Sequence, residues 1–67
     1  MTVARVTEIS AVSETSFEDA LKQGLQRANE TLRNVKSAWV KEQKVDCENG
    51  EISRYQVNMM VTFVLDS

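Results

Sequence analysis

Trp39 and Gln56 are the two residues of this 67-residue chain whose types and spacing could do chemistry together. An indole face stacks on a planar heterocycle, and a nearby amide both donates and accepts hydrogen bonds along a pyrimidine-like ring edge. Isoalloxazine has such a face and such an edge. The same pair admits a plainer reading, in which Trp39 fills a subunit interface and Gln56 satisfies a neighbour's backbone. Catalytic chemistry finds little support. The chain has no histidine, so the usual general base near neutral pH is missing. Cys47 is the single cysteine; its neighbours Asp46 and Glu48 disfavour a reactive thiolate, and it reads as an ordinary hairpin residue. Glycine-rich phosphate loops, HExxH pairs and EF-hand ligand spacing are absent. Glu14, Glu18 and Asp19 read as a solvated helix start, and a zinc site of the usual kind has no ligand set. The Met59-Met60 pair reads as packing. No catalytic residue and no metal ligand is expected, and the chain is not expected to be an enzyme.

What brings Trp39 and Gln56 to one surface is a hairpin. Asn49-Gly50 is the strongest turn signal in the sequence, and a two-residue type I′ loop there pairs Glu48 with Glu51. Paired numbers then sum to a constant. Cys47 faces Ile52, Gln43 faces Gln56, Val40 faces Met59, Trp39 faces Met60 and Ala38 faces Val61. Because side chains alternate along a strand, Ala38, Val40, Val57, Met59, Val61, Phe63 and Leu65 share one apolar face. Trp39, Lys41, Gln43 and Val45 share the other with Arg54, Gln56, Asn58, Met60, Thr62 and Val64. The one Trp is thereby set away from its own core. A large aromatic in that position needs a partner, either another subunit or a flat ligand.

The remaining elements supply the layer that covers the apolar face. Residues 3–9 read as a first strand, and Ser10 to Thr15 as a polar connection. Ser16 opens a helix, with Asp19 completing an S-x-x-D capping pattern whose carboxylate can reach back to the cap. Phe17, Ala20, Leu21, Leu25, Ala28, Leu32 and Val35 fall on one helical face, with Gly24 completing the stripe. Gly24 costs about 1 kcal/mol relative to Ala in a helix interior, a cost that close approach to the sheet would explain. Asn34 is a C-terminal signal. Strands over about 37–47 and 52–65 follow. The expected fold is α+β, a β-α-β-β chain with a three-stranded antiparallel sheet packed on one helix.

Size and charge narrow the partners. A chain this short buries only about 60% of its unfolded surface, and below roughly 70–80 residues disulfides, metals or oligomerisation supply the missing stability. With one cysteine and no histidine, oligomerisation is what remains. The net charge is −2 with both signs dispersed, so no nucleic-acid footprint is present. The longest apolar run is too short for a membrane span, and no signal-peptide core is expected at the N-terminus. The default compartment is the cytoplasm.

The segments VARVTEISAVSETSFEDAL, RANETLRNV, WVKEQ and RYQVNMMVTFVLD, in their order and spacing, resemble the dodecins. The resemblance covers nearly the whole chain, read as a single domain over residues 1–67. It implies assembly into a hollow dodecamer with flavins, riboflavin or FMN, stacked in pairs near three-fold axes. It also implies non-catalytic flavin storage and sequestration. Gln56 matches the family glutamine that binds the pyrimidine edge. Aligning VKEQ puts the usual stacking Trp at Ser37, so Trp39 is displaced by two residues along the same face. Ser37 and Gln43 are cavity neighbours on this reading, and coenzyme A is a further candidate partner. The alternative is the same shell with Trp39 locked in an interface and no flavin, serving as an interaction protein or binding an ion; the family includes members without the flavin residues and a calcium-binding form.

Overall fold

Four elements follow one another along the chain: β1 (Ala4–Ser13), α1 (Phe17–Leu32), β2 (Val35–Glu48) and β3 (Glu51–Val64). The computed structural model describes residues 2–65. The strands form one antiparallel sheet in the order β1-β3-β2, so β3 is central and both β1 and β2 present an edge. The expected β-α-β-β architecture, with one helix on a three-stranded antiparallel sheet, is the architecture found.

Local chemistry explains the joints. Asn49 and Gly50 both take positive φ, 54° and 80°, as a type I′ hairpin loop requires. Ser16 is extended, and its hydroxyl accepts from the Asp19 backbone N–H at 3.0 Å, which satisfies an otherwise orphaned helix donor. The Asp19 carboxylate does not reach back to the cap as expected. Its Oδ2 accepts instead from Ser13 Oγ and from Gln23 Nε2, each at 2.6 Å. Ser13 is 6% exposed, and a buried hydroxyl needs an acceptor more than a solvated cap N–H does. At the other end Arg33 and Asn34 take φ of 58° and 50°, and the Arg33 N–H closes on Asn29 O at 3.3 Å. This left-handed pair stops the helix, so Val35 belongs to β2 opposite Phe63 and not to the helical stripe.

The first strand runs four residues beyond the expected 3–9. Ser10 to Ser13 pair with Asn58 to Tyr55, because the long central strand offers a free ladder that the local sequence does not announce. The second hairpin also departs from a constant register. Glu48↔Glu51 and Cys47↔Ile52 hold, then Ser53 is bulged out and Asp46 to Glu42 pair one residue further along, with Arg54 to Asn58. A second bulge at Lys41 restores the first register, so Val40↔Met59, Trp39↔Met60 and Ala38↔Val61 are as expected. A third bulge at Lys36 precedes Val35↔Phe63. Between the first two bulges every β2 side chain is on the opposite face from the one expected. Gln43 pairs with Val57, and Gln56 pairs with Lys44, so the expected Gln43–Gln56 pair does not form.

On the helix side Val57, Met59 and Val61 are buried against Ala20, with Ile9, Ala11, Phe17, Leu21, Leu25, Val35 and Ala38 around them. Phe17 meets Tyr55 edge to face at 5.2 Å. The buried helical positions are the small residues Ala20, Gly24 and Ala28. A Cβ at Gly24 would stand 2.7 Å from Met59 Cε and 3.0 Å from Ala11 Cβ, so the close approach inferred for Gly24 is real. Val40 shares this side but remains 40% exposed, and Leu65 lies past the end of β3 at 44%. A 16-residue helix is about 24 Å long, whereas the molecule extends 51 Å. The hairpin therefore projects beyond the helix, carrying exposed Ile52 and Val45.

Candidate functional site

The face of the sheet away from the helix reads as a set of rungs, each with one residue from β1, β3 and β2. Across it run Val12–Gln56–Lys44, Ser10–Asn58–Glu42, Glu8–Met60–Trp39 and Val6–Thr62–Ser37. No element among the described residues covers this face. Trp39 is 52% exposed, and Val6 and Val12 are exposed with it. Trp39 stands on the edge strand β2, paired with Met60 across the ladder.

Gln56, Ser37 and Trp39 share this face as expected, and Gln43 does not, because the Lys41 bulge turns it to the side of Val57. Along β3, Gln56 is four residues from Met60, the partner of Trp39, a rise of about 13 Å. It is six residues from Thr62, the partner of Ser37, about 20 Å. Trp39 is therefore nearer to Gln56 than Ser37 is. The Gln56 amide leans along the strand toward Trp39: its Nε2 donates to Asn58 Oδ1 and to Ser10 Oγ, both at 3.0 Å. Ser10 Oγ donates to Asn58 Oδ1 at 2.8 Å, and Asn58 Nδ2 donates to Glu42 Oε1 at 3.2 Å. Beside this network Lys41 Nζ lies 3.2 Å from Glu8 Oε1.

Ser10, Asn58, Glu42 and the Lys41–Glu8 pair are site-lining residues that sequence reasoning did not single out. Ser10 falls in the expected polar connection, and Glu42 is not among the residues expected on this face. The available signal was the alternation of Ser10 and Asn58 within β-rich surroundings, which becomes informative only when β1 is extended along β3.

Two open grooves flank the helix, one of about 500 Å³ along β1 beside Gly24 and Ala28, the other of about 410 Å³ between Leu25, Asn29 and the start of β2. Neither is lined by Trp39 or Gln56. Cys47 is exposed near the hairpin tip, opposite Ile52. Among the described residues no three His, Cys, Asp or Glu side chains converge in a way that would hold a metal ion. No described helix is long and apolar enough to cross a membrane.

A family model described as Dodecin matches residues 3–66. No curated protein gives a significant match. Among solved structures, dodecin from Streptomyces davaonensis is 35% identical, with 98% of this chain and 97% of that chain covered at a TM-score of 0.94. The tt0972 protein from Thermus thermophilus is 31% identical, with 100% and 98% covered at 0.94. The calcium-chelating immunodominant antigen of Mycobacterium tuberculosis, a calcium dodecin, is 31% identical, with 96% and 91% covered at 0.82.

Proposed function

The chain belongs to the dodecin family, and from that premise we propose that it binds and stores a flavin, riboflavin or FMN, without catalysis, in a homododecameric shell. The observation that carries the reading is the uncovered sheet face, on which a half-exposed Trp39 and the Gln56 amide stand on the same side of one hairpin. An indole supplies a stacking surface, and Gln56 supplies a polar contact for the pyrimidine edge. The roughly 13 Å between their rungs is matched to a three-ring heterocycle approached by two side chains, whereas Ser37 and Gln56 of one subunit are too far apart to grip one ring. A family-like contact at Ser37 would have to come from a second subunit. Held against indole in a closed cavity, the ring loses its excited-state energy to the stack and is kept from unwanted photochemistry and redox reactions.

Assembly is supported by the same geometry. A projecting two-stranded arm is marginal by itself, and exposed Val6, Val12, Val45 and Ile52 give neighbouring subunits apolar surface to bury. The proposal sets the shell in the cytoplasm, in keeping with an unpaired, exposed Cys47.

A second reading has its own observation. Ser37 stands where flavin-binding members carry the stacking Trp, and Trp39 sits on a free sheet edge, where it would also serve as a contact between subunits. Titration of riboflavin into the apo-protein, read by flavin fluorescence and by size-exclusion chromatography, separates the two. Saturable quenching that Trp39→Ala abolishes, with the assembly intact, establishes storage. Absence of quenching at micromolar protein, with an assembly that Trp39→Ala breaks, makes Trp39 an interface residue and sinks the flavin reading.

A further inference from the structure

We infer that the tip of the β2-β3 hairpin of one copy docks into the groove between α1 and the start of β2 of the next copy, with Glu48 and Glu51 of the tip meeting Arg33 and Lys36 at the groove. The inference rests on the homo-oligomeric part of the reading above and assigns the surfaces that make the contact.

The tip is unfinished in two ways. Glu48 and Glu51 are direct partners across the ladder, and like charges placed opposite each other destabilise a hairpin. Asp46 is held by both Lys44 and Arg54, whereas among the described residues neither Glu48 nor Glu51 makes an ion pair. Two cations brought from elsewhere would turn this repulsion into attraction. The tip is also without cover. Phe17, the first residue of α1, meets Tyr55, and Tyr55 pairs with Val45, so the helix layer ends at that rung. The same face of the sheet continues past it to Cys47 and Ile52, and Ile52 is 51% exposed.

The groove has the matching character. It measures about 410 Å³, with Leu25, Val35 and Ala38 as its apolar lining and Lys36 beside them. Lys36 is a bulged residue, and Arg33 stands in the left-handed turn that ends α1. Among the described residues neither makes an ion pair. A chain cannot fill its own groove. Ile52 and Phe63, the partner of Val35, lie on the same strand at a separation of about 36 Å, most of the 51 Å length of the molecule. The tip of a second copy is what fits. Each copy then gives its tip to one neighbour and receives the tip of another, a heterologous contact that can close into a ring. Charge fixes the direction, because tip against tip would set four carboxylates together.

The test reverses each side in turn. Glu48→Lys with Glu51→Lys reverses the tip, and Arg33→Glu with Lys36→Glu reverses the groove. Assembly is read by size-exclusion chromatography with light scattering, and folding by far-ultraviolet circular dichroism. Each double reversal should raise the protein concentration at which half the subunits are assembled by about tenfold or more. The chain carrying all four substitutions should recover assembly. A separate arm adds a thiol to the groove with Asn29→Cys. A short bismaleimide should then link it to Cys47 of the next copy and give covalent chains of three or more subunits, whereas wild-type protein, with Cys47 alone, stops at pairs. This arm decides the matter if a reversed chain does not fold. Assembly that withstands either reversal overturns the inference, as does a folded fourfold variant that stays apart, or Asn29→Cys protein that gives nothing larger than a pair. None of these outcomes touches flavin binding at Trp39 and Gln56. Wild-type protein that remains a monomer overturns the homo-oligomeric reading and this inference with it.

Discussion

The same three strands make two unlike faces. Toward the helix, Val57, Met59 and Val61 are buried, the helix contributes small residues, and a methyl group added at Gly24 would press on Met59 Cε at 2.7 Å and sit tightly against Ala11. Away from the helix, the rungs alternate between a polar network, an ion pair and an exposed indole. On the first face the side chains are held by close packing. On the second they are held by directed hydrogen bonds, with the apolar groups left over at the margin. The packed face is complete within one chain, whereas the other leaves a half-exposed indole at its edge.

That contrast can be broken by substitution. The largest effect should come from Met59→Ala, which opens a cavity in the packed face and should cost about 2–5 kcal/mol in denaturant unfolding; a loss below about 1 kcal/mol would mean that the face is not a sealed core. Gly24→Val should cost about 1–3 kcal/mol by overpacking, offset by only a few tenths of a kcal/mol from valine's better helix propensity, read as a fall in melting temperature. On the other face, Trp39→Ala should leave the far-ultraviolet circular dichroism unchanged and raise the Kd for riboflavin by about tenfold or more, the loss of a stacked aromatic. Unchanged affinity would remove the indole from the site. Smallest of all, Lys41→Ala should change stability by less than about 1 kcal/mol, and the difference should fade in high salt, because the Lys41–Glu8 pair is half-exposed on both sides. A larger, salt-insensitive loss would show that this face is also sealed.

The sequence carried the fold where local chemistry decides it. The Asn49-Gly50 loop, the Ser16 cap and the stripe from Phe17 to Leu32 each form for reasons visible within a few residues. It did not carry the end of β1, because Ser10 to Ser13 become strand only by pairing with the middle of β3. Val35 kept the helical spacing but lies beyond two left-handed residues, and spacing is blind to that reversal. For the site, Trp39 was placed on the correct face because two register shifts cancel before it is reached. Gln43 lies between them and was placed wrongly. No Gly or Pro marks either bulge, so nothing in the local sequence signals them. The polar network was hidden for both reasons at once, since Ser10 depends on the extended β1 and Glu42 on the Lys41 bulge.

The bulges also bear on how such a hairpin can change over generations. Loss of one codon from a regular strand exchanges inside for outside at every position beyond the gap, out to the next irregularity. Lys36, Lys41 and Ser53 are different, because each is a residue with no partner of its own across the ladder. Deleting any of them joins two rungs that are already neighbours and leaves every other side chain on its present face. These three positions are where the hairpin can shorten by single steps while Trp39 stays outside and Val61 stays within.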